Sequence, residues 1–194
     1  ASGINNLQRA AYGYNRWSQS GIRQWLNSDA AVNAWWTPQN PFDRPPSQLT
    51  SMRGFMAGLD SDFLEIVNPI KVTTALNTAS DSEIGESEDT YDRFFLPSLE
   101  EEYCAPQLAG VEGSYWPYWK DRLGINAPQA SGSANALEAH IRYSISNHAS
   151  AQNVRLRSAY RGNAYYTWYV YSTGNVYGNT AAYAYCPAPA CAIC

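Results

Sequence analysis

Lysine is almost missing from this chain, at two in 194 residues, and histidine is as scarce at two. Arginine does not make up the deficit, because Lys and Arg together number 13 against 17 Asp and Glu. A net charge of −4 without any basic stripe argues against nucleic acid as a partner. The two histidines, His140 and His148, sit in no metal-protease spacing such as His-Glu-x-x-His. No Ser-His-Asp set can be singled out around them, so no catalytic residue is assigned. Cysteine stops at four, Cys104, Cys186, Cys191 and Cys194, too few for a disulfide scaffold of this length. No apolar run approaches the ~20 residues of a membrane span. No Asn-x-Ser/Thr sequon occurs, and "ASGINNLQRA" lacks the charged start and apolar stretch of a secretory leader. The chain opens on Ala1 instead of Met, and is expected to be the C-terminal part of a longer protein.

What is present is aromatic. Seven Trp, 15 Tyr and an apolar share of 45% describe a folded chain with enough length for one domain and a real core. There is no internal repeat. "SQSGIRQWLNSDA" reads as a short helix capped by Ser18 or Ser20, with Ile22, Trp25 and Leu26 on one face. "TPQNPFDRPPSQ" is a proline-rich loop. "SDFLEIV" is a second short helix closed by Pro69, and "IKVTTALNT" a β-branched strand. "DSEIGESEDTYD" reads as an acidic loop and "RFFLP" as a buried strand. "SLEEEYC" opens with a capping-box pattern between Ser98 and Glu101, and "ANALEAHIRY" reads as a helix. Trp17, Trp25, Trp35, Trp36, Trp116 and Trp119 are expected in or just beneath the core. The order, helices first and hairpins last, gives an α+β class.

The last forty residues differ from the rest. The stretch from Ala159 to Tyr185 holds eight of the tyrosines and no Lys, Glu, Gln or Met. Those four types number 21 in the chain, so a window of this size should hold roughly three. An asparagine codon randomised at its first two bases yields Tyr, Asn, Ser, Thr, Ala, Gly, Asp and His, but never those four types, Trp or a stop. Only Trp168 in the window lies outside that set. Tyrosine offers a large flat ring, a hydroxyl tip and few rotors to freeze, which is why antibody loops use it with Ser, Gly and Asn. Alternation in "AYYTWYVY" sets Tyr165, Thr167, Tyr169 and Tyr171 on one face and Tyr166, Trp168 and Val170 on the other. "STGN" is a turn signal. A second strand is expected to pair back through Val176 and the alternating "AAYAY", with "APACAIC" as a closing strand. Arg155 and Arg157 flank Leu156 and are expected to pair with carboxylates beneath the hairpin.

The stretches "SGIRQWLNSD", "YDRFFLPSLEEEY", "VEGSYWPYWKDRLG", "VRLRSAYRG", "TWYVYSTGNV" and "APACAIC" carry a family likeness. From about residue 16 to the end, the chain resembles the C-type-lectin-like variable proteins of diversity-generating retroelements from gut bacteria and their phages, which share the formylglycine-generating-enzyme-like lectin fold. The resemblance implies short N-terminal helices, a twisted antiparallel sheet formed largely by the C-terminal hairpins, and a variable segment at about 147–186. It implies display on a phage tail fibre or a bacterial cell surface, in a homo-oligomer such as a trimer. The partner would be a protein or glycan on a bacterial cell. The implied ligand-binding set is Asn147, His148, Asn153, Tyr160, Asn163, Tyr165, Tyr171, Thr173, Asn175, Tyr177, Asn179, Tyr183 and Tyr185. Arg155, Leu156, Arg157, Trp168, Val170 and Gly174 would form the scaffold.

Two other chemistries compete. Cys186 and Cys191 have the five-residue spacing of the copper-binding pair in formylglycine-generating enzymes, which would make the chain a copper oxidase. The intervening "PAPA" lacks the aromatic and basic residues of that motif, so no metal site and no cofactor is assigned there. Cys191 and Cys194, three apart on an apparent strand, diverge, which argues against a zinc knuckle. A structural calcium is considered at Asp81, Glu83, Glu86, Glu88, Asp89 and Asp92, but the spacing is not that of an EF-hand loop. A structural virion or surface domain, with the tyrosines at subunit contacts, is the other alternative.

Overall fold

The computed structural model describes residues 4–76, 87–102, 104, 111–118, 140–160 and 162–193. Trp119, Asp81, Glu83, Glu86 and Cys194, and most of "ANALEAHIRY", lie outside these. The N-terminal part is helical. Helix α1 (Asn6–Tyr12) has a reciprocal capping box between Asn5 and Gln8. A single 3-10 turn at Trp17–Gln19 leads to α2 (Gly21–Leu26), where the Ser20 hydroxyl accepts from the Arg23 amide and Trp25 and Leu26 are buried. The proline-rich segment forms turns only, and α3 (Ser61–Ile66) follows with Asp60 as its cap. Pro69 cannot continue a helix, and the chain is already extended in β1 (Val67–Asn68).

The rest is sheet: β2 (Ile70–Ala75), β3 (Ser87–Asp92), β4 (Arg142–Tyr143), β5 (Ala151–Gln152), β6 (Val154–Ala159), β7 (Tyr166–Val170), β8 (Val176–Thr180), β9 (Cys186–Pro187) and β10 (Ala192–Ile193). The class is α+β. The largest sheet runs in the order β8-β7-β6-β9, with two antiparallel pairings and a parallel one between β6 and β9. The chain end returns to the start of the sheet region, because β10 pairs antiparallel with β1.

Four segments depart from expectation, one of them the described end of "ANALEAHIRY", where Arg142–Tyr143 is strand β4 paired with β5 and not helix. Half of the acidic stretch is strand, because its carboxylates face protein cations. Glu88 binds Arg16 at 2.7 Å, Asp89 binds Lys71 at 3.2 Å, and the Asp92 carboxylate accepts from Arg23, Trp17 and Thr90. "RFFLP" makes one bridge, Phe95 to Ala190, instead of a strand; Phe94, Phe95 and Leu96 are buried among side chains. "AAYAY" is a turn, because the chain must reverse to bring Cys186 beside Val154.

Two apolar clusters support these elements. One joins Trp17, Trp25, Trp35, Leu26, Val67, Val72, Phe94, Phe95 and Leu96, with Trp36 and Trp116 packed at its margin. The other lies under the large sheet, with Ala75, Leu99, Cys104, Leu156, Trp168, Val170 and Val176. Between them runs a buried polar network. The Arg157 guanidinium binds both oxygens of Glu101, at 2.5 and 2.7 Å, and donates to the Leu96 and Thr73 carbonyls at 2.8 and 3.1 Å. Ser98 and Glu101 form the expected reciprocal capping pair, which holds that carboxylate in place. Glu112, fully buried, accepts from the Ala75 amide at 3.1 Å and from the Ser158 hydroxyl.

Burial pushes the Glu112 carboxyl up from 4.5 to about 7, against the pull of Arg157 and Ser158. The native state therefore holds a proton that the unfolded chain has already released above its ordinary pKa. Stability from this group falls as pH rises from about 4.5 to about 7. Glu112→Gln, which keeps the shape without the charge, should gain on the parent by about 2–3 kcal/mol between roughly pH 5 and pH 7.5. Urea unfolding of both proteins at the two pH values measures this. A constant difference would place the carboxylate in a polar, hydrated site.

Candidate functional site

The side chains of interest stand on the face of the large sheet opposite Trp168 and Val170. Pairing of β7 with β8 sets Tyr169 across from Tyr177, and β6 with β7 sets Arg155 across from Tyr169. The rings then form a continuous array. Tyr169 meets Tyr171, Tyr177 and Tyr185 at centroid distances of 6.4, 6.1 and 4.2 Å. Tyr171 meets Tyr177 edge-on at 5.9 Å, and Tyr183 meets Tyr185 at 5.0 Å. Each such pair stabilises by about 0.5–1.5 kcal/mol beyond its buried area. Tyr169 is buried at the centre, while Tyr171, Tyr177 and Tyr183 are exposed by 39%, 38% and 57%.

Arg155 lies beneath this array. Its guanidinium sits 4.8 Å from the Tyr185 ring centroid and is buried. No carboxylate pairs with it among the described residues; it donates instead to the Thr167 hydroxyl and to the Thr180 and Tyr183 carbonyls, at 3.0 and 2.8 Å. Burial lowers its pKa to about 10, which still leaves a cation at neutral pH. The expected carboxylate pairing therefore holds for Arg157 and not for Arg155. The reason is geometric: the end of β8 and the turn after it bring the Thr180 and Tyr183 carbonyl oxygens to the guanidinium.

The implied binding residues fall into groups. Tyr171, Tyr177, Tyr183 and Tyr185 belong to the array. Asn179 joins it through its amide, which donates to the Tyr185 hydroxyl at 2.8 Å. Thr173 and Asn175 bond each other at the exposed β7–β8 turn. Tyr165 stacks on Tyr12 of α1 at 5.1 Å, away from the array's centre. Asn153 accepts from the Ser172 amide and Asn163 from the Tyr165 amide, so both side chains hold backbone. Asn147 does the same in its own turn, accepting from Ala149 and Ser150, next to an exposed His148 with φ 50°. Tyr160 lies on the sheet's inner side, 4.7 Å from Trp168, and occupies the space that a side chain at Gly178 would need. An open depression of about 270 Å³ borders the array, lined by Gln152, Asn153, Ser172, Tyr183, Tyr185 and Cys186 among others. Its mixture of rings, amides and hydroxyl can bind either a flat apolar surface or a polar rim group.

Sequence reasoning passed over two members of this site. Tyr169 stands on the outer face and is not in the implied binding set, although its alternation with Tyr171 signals it. Gln152 gave no signal, since its place depends on the β5 pairing. Cys186 is exposed, with its thiol 3.4 Å from the Gln152 side-chain oxygen, and Cys191 is half-buried.

A family model described as a domain of unknown function, DUF6273, matches residues 2–194. The chain belongs to the DUF6273 family. No curated protein and no solved structure matches it. The match covers the helical part and the sheet together, so the tyrosine array of this DUF6273 chain is part of the same family unit as the frame beneath it.

Frame and array should respond differently to substitution. Trp168→Ala removes the ring under the sheet and should cost about 3–5 kcal/mol. Tyr177→Ala should cost less, about 1–2 kcal/mol, because it gives up two ring contacts from a side chain that is 38% exposed. Denaturant midpoints of the two variants test the contrast, and comparable losses would mean the array is part of the core.

Proposed function

We propose that this chain is a ligand-binding module, with a C-type-lectin-like frame presenting a diversified tyrosine surface to a protein on a bacterial cell. The observation that carries the reading is the ring array on β7, β8 and the 181–185 turn, with three exposed tyrosines over a separately packed core. Rings packed edge to face are already ordered, so little side-chain entropy remains to be lost on contact with a partner. The underside is held by Arg155 and the backbone by Asn153 and Asn163. Outward side chains can therefore change at little cost to folding. On this reading the chain works by display on a phage tail fibre or cell surface and performs no catalysis.

Adsorption tests it. Labelled chain is applied to a panel of gut bacterial cells, beside a Tyr171→Ala/Tyr177→Ala/Tyr183→Ala variant that still unfolds cooperatively above the assay temperature. The parent should adsorb saturably to some strain, and the variant at least about tenfold more weakly. Protease treatment of the cells should abolish adsorption, whereas loss on periodate oxidation would make the ligand a glycan. A folded triple variant that adsorbs like its parent would sink the reading. A variant that loses self-assembly alone would favour a structural domain.

A further inference from the structure

Far from the tyrosine array, under the inner side of the large sheet, three side chains with metal-binding chemistry converge. A carboxylate oxygen of Glu102, the Cys104 thiol and a ring nitrogen of His140 all lie within 4.8 Å of one another, and all three residues are buried. We propose that Glu102, Cys104 and His140 form a zinc site. A tetrahedral zinc with bonds of about 2.0–2.3 Å sets its donors roughly 3.3–3.8 Å apart, so modest side-chain rotation closes the cluster.

Two features support it. First, the His140 Nε2 lies 2.7 Å from the Glu102 carbonyl, which can only accept, so Nε2 carries the proton and Nδ1 the lone pair. A ligating imidazole is commonly oriented in this way, through its other nitrogen and a backbone carbonyl. Second, one Glu102 carboxylate oxygen takes Arg142 at 3.2 Å, while the other is buried with no hydrogen-bond partner among the described residues. A buried carboxylate oxygen left in this way is costly, and a cation satisfies it. Thiolate, imidazole and carboxylate together suit zinc better than calcium or magnesium, which take oxygen alone. On binding, Zn²⁺ replaces the Cys104 proton, which leaves to solvent, and the sulfur keeps its electron pair for the metal. Three protein donors leave one tetrahedral position for water or a further ligand.

The experiment uses the full chain with Cys186, Cys191 and Cys194 changed to serine, which leaves Cys104 as the single thiol. Titration with Co²⁺ should give one equivalent per chain with a thiolate-to-metal charge-transfer band, displaced by Zn²⁺. Saturating Zn²⁺ should raise Tm by about 5–10 °C at a concentration near 100 times Kd. Glu102→Gln and His140→Gln should each weaken Zn²⁺ binding at least about tenfold. A folded single-thiol chain showing neither the band nor a Tm shift in excess Zn²⁺ overturns the proposal. So does undiminished affinity in a folded Glu102→Gln or His140→Gln chain. The single-thiol measurement decides the matter even where those variants fail to fold.

Discussion

One buried cation, Arg157, determines where the large sheet can lie. It is 2% exposed and sits on the central strand β6. Its fork takes both oxygens of Glu101, and its remaining protons go to the Thr74 hydroxyl and to the Thr73 and Leu96 carbonyls. A guanidinium removed from water is tolerated only where every donor is matched, and removing one partner from such a pair costs about 3–5 kcal/mol. The match requires β6, β2 and the 96–101 segment in one arrangement. The Arg157 amide also donates to the Pro97 carbonyl, which fixes the same distance from the backbone side. Strands β7 and β8 then follow, since each pairs along its neighbour, and the Asn15 side-chain amide ties the start of β7 to the N-terminal part through the Tyr166 carbonyl at 2.8 Å.

Two residues earlier on β6, Arg155 solves the same problem by different means. It is compensated by carbonyl dipoles and a ring face instead of by an acid. The difference has a structural effect. An acid would anchor the arginine to one side chain, whereas carbonyls anchor it to the course of the 180–183 backbone. The turn that carries Tyr183 and Tyr185 is therefore held by its main chain. Its side chains are left to face outward.

The sequence made the helices legible where a cap stood beside an apolar face, as at Ser20 with Trp25 and Leu26. It made the two-sided character of β7 legible through period-two alternation, and the buried Trp168 with it. It did not reveal α1, whose Asn5–Gln8 cap precedes no clear apolar stripe. The strand in the acidic stretch was hidden because its partners, Arg16, Arg23 and Lys71, come from distant positions. Long-range charge compensation leaves no local pattern. For the same reason Glu102, Cys104 and His140 could not be grouped in advance: the third lies 38 residues from the first. "AAYAY" misled because alternation of Ala with Tyr describes a turn lined with rings as well as it describes a strand.

The implied binding residues divide by what their side chains do. Asn147, Asn153 and Asn163 accept from backbone amides, and Tyr160 fills space against Trp168 and Gly178. Tyr171, Tyr177 and Tyr183 touch other rings and solvent. Replacing a side chain of the first kind leaves an amide unmatched or a cavity, each worth about 1–3 kcal/mol or more. Replacing one of the second kind removes surface. A surface that tolerates change must keep these two kinds apart, and here the separation follows the sheet. Backbone-holding side chains cluster at strand ends and turns, while those on the open face of β7, β8 and the turn after them carry no such duty. Asn179 is the intermediate case, since its oxygen accepts from the Thr180 amide and its nitrogen donates to Tyr185. It links the frame to the array, so a change there would alter how Tyr185 is presented as well as what stands at position 179.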